Sequence, residues 1–426
     1  MGAQSVVTGF LRNDGDVLLL HRGEAVGSYP GMWSGVSGHA EGDPDSQIER
    51  EIREETGIDP ATDCRLITAG EPFTVDDGED SWRVHPYLFD CERRSVRTNW
   101  ESKGFEWTSP TAILDRETVP ELWRSYDRVR PTVETVESDR EHGSAYISYR
   151  ALAVLRDEAG LLARGREAAT SVEAVGEALL AARPAMTVVE NRVNRVLFDA
   201  SDGGAIDPST VECQAHDAIK SAVEADSVAA SNLGAAIDGK RVATLSRSGT
   251  VLTAIDEGPP DALLLSESRP GGEGRQVATR VARETDVTLT TDAAFPHQLV
   301  EWEADLLVTG ADTVYRDGTL CNKVGTRPAA LAAADAGIRV VVATGTDKIS
   351  HERTVDLEER PAGELYSGTE PITVRNPAFD LTPPSAIDAY VTERGSFAPD
   401  EIGSLAAEHE RHARWQGGDS TKGTHI

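Results

Sequence analysis

Residues 50–58 read Arg-Glu-Ile-Arg-Glu-Glu-Thr-Gly-Ile. In a helix this order places Glu51, Glu54 and Glu55 at i, i+3 and i+4, so the three carboxylates share one face. Carboxylates this close repel one another unless a cation neutralises them, and Mg²⁺ or Mn²⁺ takes carboxylate and phosphate oxygens together. Arg50 can hold one carboxylate in position. The alternative is a solvated acidic helix face, but that does not explain so ordered a string.

The residues around this string predict a small mixed fold. Asn13-Asp14-Gly15 is a turn signal between two β-rich runs. Asp43 can cap the acidic helix and Gly57 can end it. The elements predicted before the first domain closes near residue 128 are a hairpin at 6–22, a helix at 44–56, and strands at 83–90 and 104–107.

Residues 1–128 resemble a Nudix hydrolase domain. Residues 50–58 carry the resemblance, together with Trp33, Gly38 and Glu106-Trp107. It implies an α/β/α sandwich that uses Mg²⁺ or Mn²⁺ to hydrolyse a nucleoside-diphosphate-linked substrate. The site residues that it implies are Glu51, Glu54 and Glu55 as catalytic metal ligands, Gly38 as a metal ligand through its carbonyl, and Arg50 as a substrate-binding residue.

The loop before the helix departs from the pattern of that family. The usual order is Gly, five residues, Glu, seven residues and then Arg-Glu. Counting back from Arg50, those two positions hold Val36 and Gly42. Gly35 and Glu41 have the right mutual spacing but lie one residue too far from Arg50. The catalytic string therefore predicts hydrolysis, whereas the substrate cannot be predicted from this loop.

The rest of the chain predicts a different architecture. Residues 129–222 carry apolar side chains at spacings of three and four and predict a helical subdomain. Residues 223–415 alternate short β-rich runs with helical stretches, which is typical of a Rossmann-like, doubly wound parallel sheet. Residues 416–426 have the composition of a flexible tail. The fold class is thus α/β and multidomain.

Polar clusters follow several of these β-rich runs. The clusters are 246–250, 267–274, 310–312 and 322–326. Ligands in open parallel sheets bind outside the carboxyl ends of the strands, so the clusters predict one site. Arg269 and Lys323 are suitable phosphate partners, and helix N-termini at Gly249 and Thr326 can assist them.

The order and spacing of these clusters resemble one family. It comprises the alpha, beta and delta subunits of initiation factor 2B, ribose-1,5-bisphosphate isomerase and methylthioribose-1-phosphate isomerase. The similarity covers about 140–415 and includes Arg183-Pro184 and residues 391–395. It implies a dimer or hexamer that binds a phosphorylated ligand. The site residues that it implies are Asp312 as a catalytic residue and Ser246, Arg269, Asn322 and Lys323 as substrate-binding residues.

Two departures count against a standard isomerase. Ser246 stands where the isomerases have a catalytic Cys, and a hydroxyl does not exchange a proton near neutrality as readily as a thiol. His142-Gly143-Ser144 replaces their Arg-Gly-Ala loop. Three functions remain open: a hydrolase whose C-terminal half binds a sugar phosphate or nucleotide, a bifunctional enzyme with isomerase activity, and an initiation factor 2B-like regulator. Ser246 counts against the second and Asp312 against the third, so we favour the first.

The charge and the amino-acid composition limit the binding partners and the cellular compartment that we expect for this protein. The formal charge is −30, and acidic residues are spread along the chain, so a basic face for nucleic acid is not expected. Only six of the 42 basic residues are Lys, which suits a salty, halophilic cytoplasm. No apolar run approaches the ~20 residues of a membrane span, and we expect a cytoplasmic protein. Four separated Cys residues without a CxxC pair argue against zinc and disulfides, with at least three of them expected as buried thiols, Cys321 included.

Overall fold

The computed structural model describes residues 3–78, 80–166, 169–201 and 205–417. The chain divides into two compact units. The first consists of 1–135, 149–172 and 207–220, and the second of 136–148, 173–206 and 221–426. Of the predicted tail, Gly417 and the residue before it belong to a short 3₁₀ helix, Ala413–Gly417, and residues 418–426 lie outside the described residues.

A mixed sheet forms the centre of the first unit. Its strands are β1 (Gln4–Asn13), β2 (Asp16–Arg22), β3 (Trp33–Ser34), β4 (Val36–His39), β5 (Cys64–Ala69), β6 (Phe73–Asp77), β7 (Asp80–Cys91) and β8 (Ser102–Thr108). The order is β3-β2-β1-β7-β5, and β4 pairs with β1, β6 with β7, and β8 with β2. The predicted hairpin and both predicted strands are confirmed. Asp14 and Gly15 both have positive φ, as a two-residue hairpin turn requires.

The acidic helix begins and ends where the sequence predicts. The helices before residue 130 are α1 (Pro44–Thr56), α2 (Pro60–Asp63) and α3 (Leu122–Asp127). The Asp43 side chain accepts a hydrogen bond from the Ser46 backbone N–H at 3.2 Å, and Gly57 takes a left-handed conformation with φ of 69°. Ile48 and Ile52 of α1 are buried against the sheet. Burial of this apolar side fixes the direction in which the carboxylates point.

The expectation about cysteines is wrong for the first unit. Cys64 and Cys91 form a disulfide, and the register of β5 and β7 places them directly opposite each other. Pairs opposite each other in antiparallel strands lie close enough for a disulfide, although they are distant in sequence. Cys213 is exposed, and only Cys321 is the buried thiol that the sequence led us to expect.

The predicted helical region consists of five helices among the described residues. They are α4 (Val133–Ser138), α5 (Ser144–Ala163), α6 (Val172–Ala182), α7 (Thr187–Asp199) and α8 (Pro208–Ile237). The parts of α5 and α8 at 149–163 and 208–220 belong to the first unit. In the part of the chain that the structure describes, no helix is both long and apolar enough to cross a membrane.

A parallel sheet forms the centre of the second unit. Its strands are β9 (Arg241–Thr244), β10 (Ala262–Ser266), β11 (Asp286–Thr290), β12 (Leu306–Thr309), β15 (Arg339–Ala343), β18 (Ala389–Thr392) and β19 (Gly395–Phe397). The spatial order β11-β10-β9-β12-β15-β18 is the doubly wound order, and these pairs are all parallel. The predicted Rossmann-like sheet is thus confirmed.

A second, four-stranded sheet and further helices complete this part of the chain. A second sheet, in the order β16-β13-β14-β17, contains β13 (Thr313–Tyr315), β14 (Leu320–Lys323), β16 (Ile349–Ser350) and β17 (Phe379–Thr382). The helices of the region are α9 (Gly249–Glu257), α10 (Glu273–Val281), α11 (Phe295–Glu301), α12 (Thr326–Asp335) and α13 (Ile402–His412). The Asp312 backbone N–H donates a hydrogen bond to the Cys321 carbonyl at 3.1 Å, which holds β14 beside the residues that follow β12.

Candidate functional site

The predicted residues Gly38 and Glu51 lie against each other in the first unit. Gly38 belongs to β4, which pairs with β1 beside α1. A Cβ atom added at Gly38 would lie 2.0 Å from Glu51 Oε1 and 2.2 Å from its carboxyl carbon. Only glycine therefore leaves room for the Glu51 carboxylate at this point.

Gln47 holds the Glu51 carboxylate in position. Its side-chain amide donates a hydrogen bond to Glu51 Oε1 at 2.5 Å and accepts one from the Arg50 guanidinium. Arg50 thus supports Glu51 through Gln47 rather than by a direct bond. Sequence analysis missed Gln47, although its i, i+4 spacing from Glu51 was a usable signal.

The three carboxylates of α1 that were predicted to bind a metal occupy three different environments. Glu55 is only 3% exposed and accepts a hydrogen bond from the Ser37 backbone N–H at 3.1 Å. Burial raises the pKa of Glu55 well above its ordinary value, and the nearby charges of Glu51 and Glu101 raise it further. Burial also raises the pKa of Glu51, which is half-buried. Glu54 is exposed on the same helix.

Glu101 is a fourth carboxylate of this site, and sequence analysis missed it. It directly precedes β8, and its charge raises the pKa of both Glu51 and Glu55. Glu101 stands far from residues 50–58 in sequence and belongs to no motif. Only the pairing of β8 with β2 brings it to the site.

These groups lie beside a cavity of about 420 Å³. Gly38, Arg50, Glu51 and Glu101 line it, together with Arg22. Arg22 donates hydrogen bonds to the Ser28 carbonyl at 3.0 Å and to Ser37 Oγ at 3.3 Å. The cavity thus combines carboxylates with two guanidinium groups, which suit a phosphate and a divalent cation together.

The donors at this cavity fit a hard divalent cation in their chemistry. Among the described residues, no group of three or more His, Cys, Asp or Glu side chains is arranged so that it could hold a metal ion. However, Glu51, Glu55 and Glu101 are close enough to raise carboxyl pKa values, so a cation there would offset their repulsion. The assignment of Glu51, Glu54, Glu55 and Gly38 as metal ligands stays a prediction.

In the second unit, two predicted clusters are joined at the carboxyl ends of β9 and β10. The Ser246 backbone N–H donates a hydrogen bond to Ser268 Oγ at 2.7 Å. Both serines have positive φ, at 65° and 62°. The Arg269 backbone N–H donates to Asp292 at 2.6 Å, whereas its side chain is exposed, 3.6 Å from Glu267. The Arg269 guanidinium is therefore accessible to a ligand.

Lys323 ties β14 to the loop after β10. Its ammonium group is buried, donates to the Pro270 carbonyl, and donates to Glu273 Oε1 at 3.1 Å. It also acts electrostatically on Asp312. Ser246, Arg269, Asp312 and Lys323 thus belong to one cluster at one edge of the parallel sheet.

Asp312 is held near two cations and one further carboxylate. Burial raises the pKa of Asp312, the charge of Glu358 raises it further, and Lys348 and Lys323 oppose the shift. The Lys348 ammonium donates a hydrogen bond to the Ala311 carbonyl at 2.7 Å. Lys348 and Glu358 were not predicted as site residues, because both lie beyond the last of the predicted polar clusters, 322–326.

A carboxylate occupies the N-terminus of α12, where the sequence led us to expect a phosphate. Asp380 accepts hydrogen bonds from the Gly325 N–H at 2.8 Å and the Arg327 N–H at 3.1 Å. Burial raises the pKa of Asp380 to about 6. Asn322 donates to Thr326 Oγ1 at 3.0 Å, so its amide supports this turn. The helix end at Thr326 is thus already satisfied by the protein.

Cys321 does not replace the thiol that is missing at position 246. Burial raises the pKa of its thiol to about 12, and the charges of Asp312 and Asp380 raise it too. Such a thiol remains protonated near neutrality and does not act as a base. The structural role expected for Cys321 is consistent with this environment.

Comparison with known proteins finds two families in two successive regions of the chain. The model of the Initiation factor 2 subunit family matches residues 140–399, and that of the NUDIX domain matches residues 2–129. Ribose 1,5-bisphosphate isomerase from Haloferax volcanii is 31% identical over 312 residues, which cover 67% of this chain and 93% of the relative. Methylthioribose-1-phosphate isomerase from Exiguobacterium sibiricum is 27% identical over 334 residues, which cover 70% of this chain and 95% of the relative.

Two solved structures share the fold of the second region. The translation initiation factor eIF-2B from Pyrococcus horikoshii OT3 matches with a TM-score of 0.52 and 24% identity over 63% of this chain and 95% of that one. The 5-methylthioribose 1-phosphate isomerase from the same organism matches with a TM-score of 0.51 and 22% identity over 65% of this chain and 86% of that one. At these identities the likeness shows the fold alone.

Proposed function

The chain belongs to the Initiation factor 2 subunit family and carries an N-terminal NUDIX domain, and from that premise we propose that it is a metal-dependent hydrolase of a nucleoside-diphosphate-linked substrate. Its C-terminal domain then binds a phosphorylated sugar or nucleotide. The single observation that carries the proposal is the contact of Gly38 with the Glu51 carboxylate at the wall of a 420 Å³ cavity.

The protein groups at this cavity have separate roles in the proposed reaction. Glu51 and Glu55, with Glu54 and the Gly38 carbonyl, would hold Mg²⁺ or Mn²⁺, and the ion would polarise a phosphoryl oxygen of the substrate. Gln47 fixes the orientation of Glu51 through its hydrogen bond. Arg22 and Arg50 neutralise the diphosphate in the same cavity. Burial of Glu55 excludes water from one side of the carboxylate cluster.

A substrate screen tests the hydrolase directly. The full chain is incubated with nucleoside diphosphates and sugar nucleotides in Mg²⁺ and high salt, and phosphate-containing products are measured. Glu55→Gln should abolish turnover. Glu49→Gln is the matched control, because Glu49 lies on the same helix, is half exposed, and pairs only weakly with Arg53 at 3.6 Å. Equal turnover in both variants would refute the site.

The C-terminal domain is proposed to bind its ligand through Arg269 and Lys323. Support comes from the accessible Arg269 guanidinium and from Lys323, which lies near Asp312. Ser246 and Asn322 order the loops on either side of the same cluster. Titration calorimetry of the full chain with pentose phosphates tests this assignment. We also propose that the chain forms a dimer or hexamer through this domain in a halophilic cytoplasm. Light scattering at high salt tests the oligomeric state.

A sugar-phosphate isomerase is the second candidate function. It is favoured by the 31% identity to a ribose 1,5-bisphosphate isomerase and by Asp312, whose pKa is raised by burial. Ser246 in place of a catalytic thiol counts against it. Following ribulose-1,5-bisphosphate formation in wild type, Ser246→Cys and Asp312→Asn decides between the candidates. Robust wild-type turnover that disappears in Asp312→Asn would make isomerisation the function of this half.

A further inference from the structure

The proposed functions give no role to one carboxylate beside the C-terminal cluster. Asp292 lies two residues after the end of β11, and Ser268 lies two residues after the end of β10. The two strands are parallel neighbours, with Ser266 opposite Thr290 at their carboxyl ends. This register brings the Asp292 side chain to the loop that carries Arg269.

Asp292 binds that loop through three hydrogen bonds. Its carboxylate accepts from the Ser268 N–H at 2.7 Å, from the Arg269 N–H at 2.6 Å, and from the Ser266 hydroxyl. Its own helix does not use this carboxylate, since α11 begins three residues later without a hydrogen bond from a side-chain cap. A charged acceptor makes stronger hydrogen bonds than a neutral one, so the loop is held firmly at its backbone.

Ser268 extends this chain of hydrogen bonds to the loop after β9. It is fully buried, and its hydroxyl accepts from the Ser246 N–H at 2.7 Å and donates to the Ser266 carbonyl at 3.2 Å. Ser246 and Ser268 both have positive φ, a conformation that a residue other than glycine keeps only where its surroundings fix it. Asp292 and Ser268 provide that restraint for the loops after β9 and β10.

The direction of the Arg269 side chain depends on this restraint. The Arg269 side chain is 60% exposed and pairs with Glu267 at 3.6 Å. A pair of this kind in solvent holds a long side chain only weakly. The backbone at position 269 therefore decides where the guanidinium points. Because Asp292 occupies the N–H groups of residues 268 and 269, a phosphate at this loop would bind the Arg269 side chain and not these N–H groups.

We propose that Asp292 is a positioning residue of the C-terminal cluster, whose carboxylate fixes the loops after β9 and β10 and with them the direction of the Arg269 guanidinium. The proposal rests on the proposed binding of a phosphorylated ligand by this half and names a residue that prepares the site for it. An amide in place of the carboxylate has only one acceptor oxygen, so Asp292→Asn would leave the Ser268 N–H or the Arg269 N–H without its partner.

Hydrogen exchange of the full chain without ligand, followed by mass spectrometry, tests the positioning role by itself. Asp292→Asn should accelerate exchange at least about 10-fold in peptides covering 246–250 and 267–271, because the hydrogen bonds that protect their amides are lost. The peptide 246–250 is decisive, because the hydrogen-bond chain reaches it through Ser268. Unchanged exchange in both peptides would overturn the proposal.

Asp305→Asn is the matched control for this substitution. The Asp305 carboxylate also accepts a backbone hydrogen bond, from the Arg241 N–H at 2.8 Å, but at the amino end of β9 in the same sheet. Asp305→Asn should leave exchange in 246–250 and 267–271 as in the wild type. Equal acceleration by both substitutions would overturn the proposal, since any weakening of the sheet would then loosen these loops.

Calorimetry with ribose 5-phosphate tests the consequence for a ligand. Asp292→Asn should weaken binding about 10-fold, and the same substitution in an Arg269→Ala protein should weaken it further by less than about 3-fold, because Asp292 acts through Arg269. Losses that multiply in the double variant would overturn the proposal. Ser266→Ala removes one hydrogen bond of Asp292 and keeps the backbone bonds, so it allows the same comparison if Asp292→Asn does not fold.

The two measurements separate the role of Asp292 from the binding function itself. Faster exchange in 246–250, with equal ribose 5-phosphate affinity in the wild type and Arg269→Ala, would support the role of Asp292 and remove the proposed function of Arg269. Unchanged exchange in Asp292→Asn, with an affinity that depends on Arg269, would overturn the role of Asp292 and leave the binding function standing.

Discussion

Replacing Gly38 by alanine tests the contact on which the proposed hydrolytic site depends. The new Cβ atom would lie 2.0 Å from Glu51 Oε1, and real Cβ atoms do not approach other heavy atoms closer than 3.0 Å. The carboxylate must therefore move by about 1 Å, and a misplacement of that size costs about 100-fold in rate. We expect kcat/KM for diphosphate hydrolysis to fall by at least that factor.

The same substitution should leave the fold intact. The atoms that a Cβ would meet belong to the end of the Glu51 side chain, which can rotate away. Gly38 is not among the residues with positive φ, and alanine is favoured over glycine in a strand by about 0.5–1 kcal/mol. We therefore expect the free energy of unfolding to change by no more than about 1 kcal/mol in either direction.

Gly104→Ala provides the control for this experiment. Gly104 lies on β8 in the same sheet, and a Cβ there would meet no atom within 4 Å. Both variants are purified as full chains, their unfolding is followed by circular dichroism, and product release is measured with Mg²⁺ in excess. Wild-type kcat/KM in a folded Gly38→Ala protein would refute the role given to the Gly38–Glu51 contact. An equal loss of kcat/KM in both variants would show that the effect comes from changing the sheet and not from the Gly38–Glu51 contact.

Three further predictions follow from charges in the two units. Glu55→Gln should reduce hydrolysis by at least about 100-fold, because it removes a proposed metal ligand. It should not lower the melting temperature, because burial already disfavours the charged form of the Glu55 carboxylate. Turnover and calorimetry on one preparation measure the two effects. Because the pKa of Asp380 is raised from 3.8 to about 6, the contribution of this carboxyl group to stability should be fully present below pH ~4 and should fall by up to about 3 kcal/mol as pH rises through 6. Asp380→Asn should remove this part of the pH profile in denaturant titrations, and an unchanged slope between pH ~4 and 6 would contradict the assignment. Arg269→Ala with Lys323→Ala should weaken pentose phosphate binding at least 10-fold in calorimetry, since each removes a cation from the phosphate; unchanged affinity would place the ligand elsewhere.

Local signals explain why α1 was predicted to the residue. Its cap, its first-turn proline and its terminal glycine all lie within the helix or next to it. The parallel strands of the second unit could also be predicted from sequence, because strands buried on both faces are short continuous apolar runs. In both cases the information needed to predict the element is contained in the element itself.

Contacts between distant segments could not be predicted in this way. The disulfide depends on the register of β5 and β7, which no local pattern fixes. Glu101 reaches the carboxylates only through the pairing of β8 with β2, and Asp380 reaches α12 only through β17. Gln47 is different, since its spacing from Glu51 was visible in the sequence. It was missed because the amide of Gln47 is uncharged, whereas the search for a site followed charged side chains.

The C-terminal cluster has two cationic side chains that we propose hold an anion, and it has a hydroxyl in place of a thiol at position 246. Lys323 and Arg269 remain at the sheet edge, so the positive charge needed for a phosphate is present. Burial raises the pKa of Asp312, and the position at which the isomerases carry a thiol holds the hydroxyl of Ser246. Cys321 cannot take over, because its pKa of about 12 keeps it protonated. Without a thiol at position 246, the cluster supports binding of a sugar phosphate better than its isomerisation, and for this reason binding is the function proposed for this half.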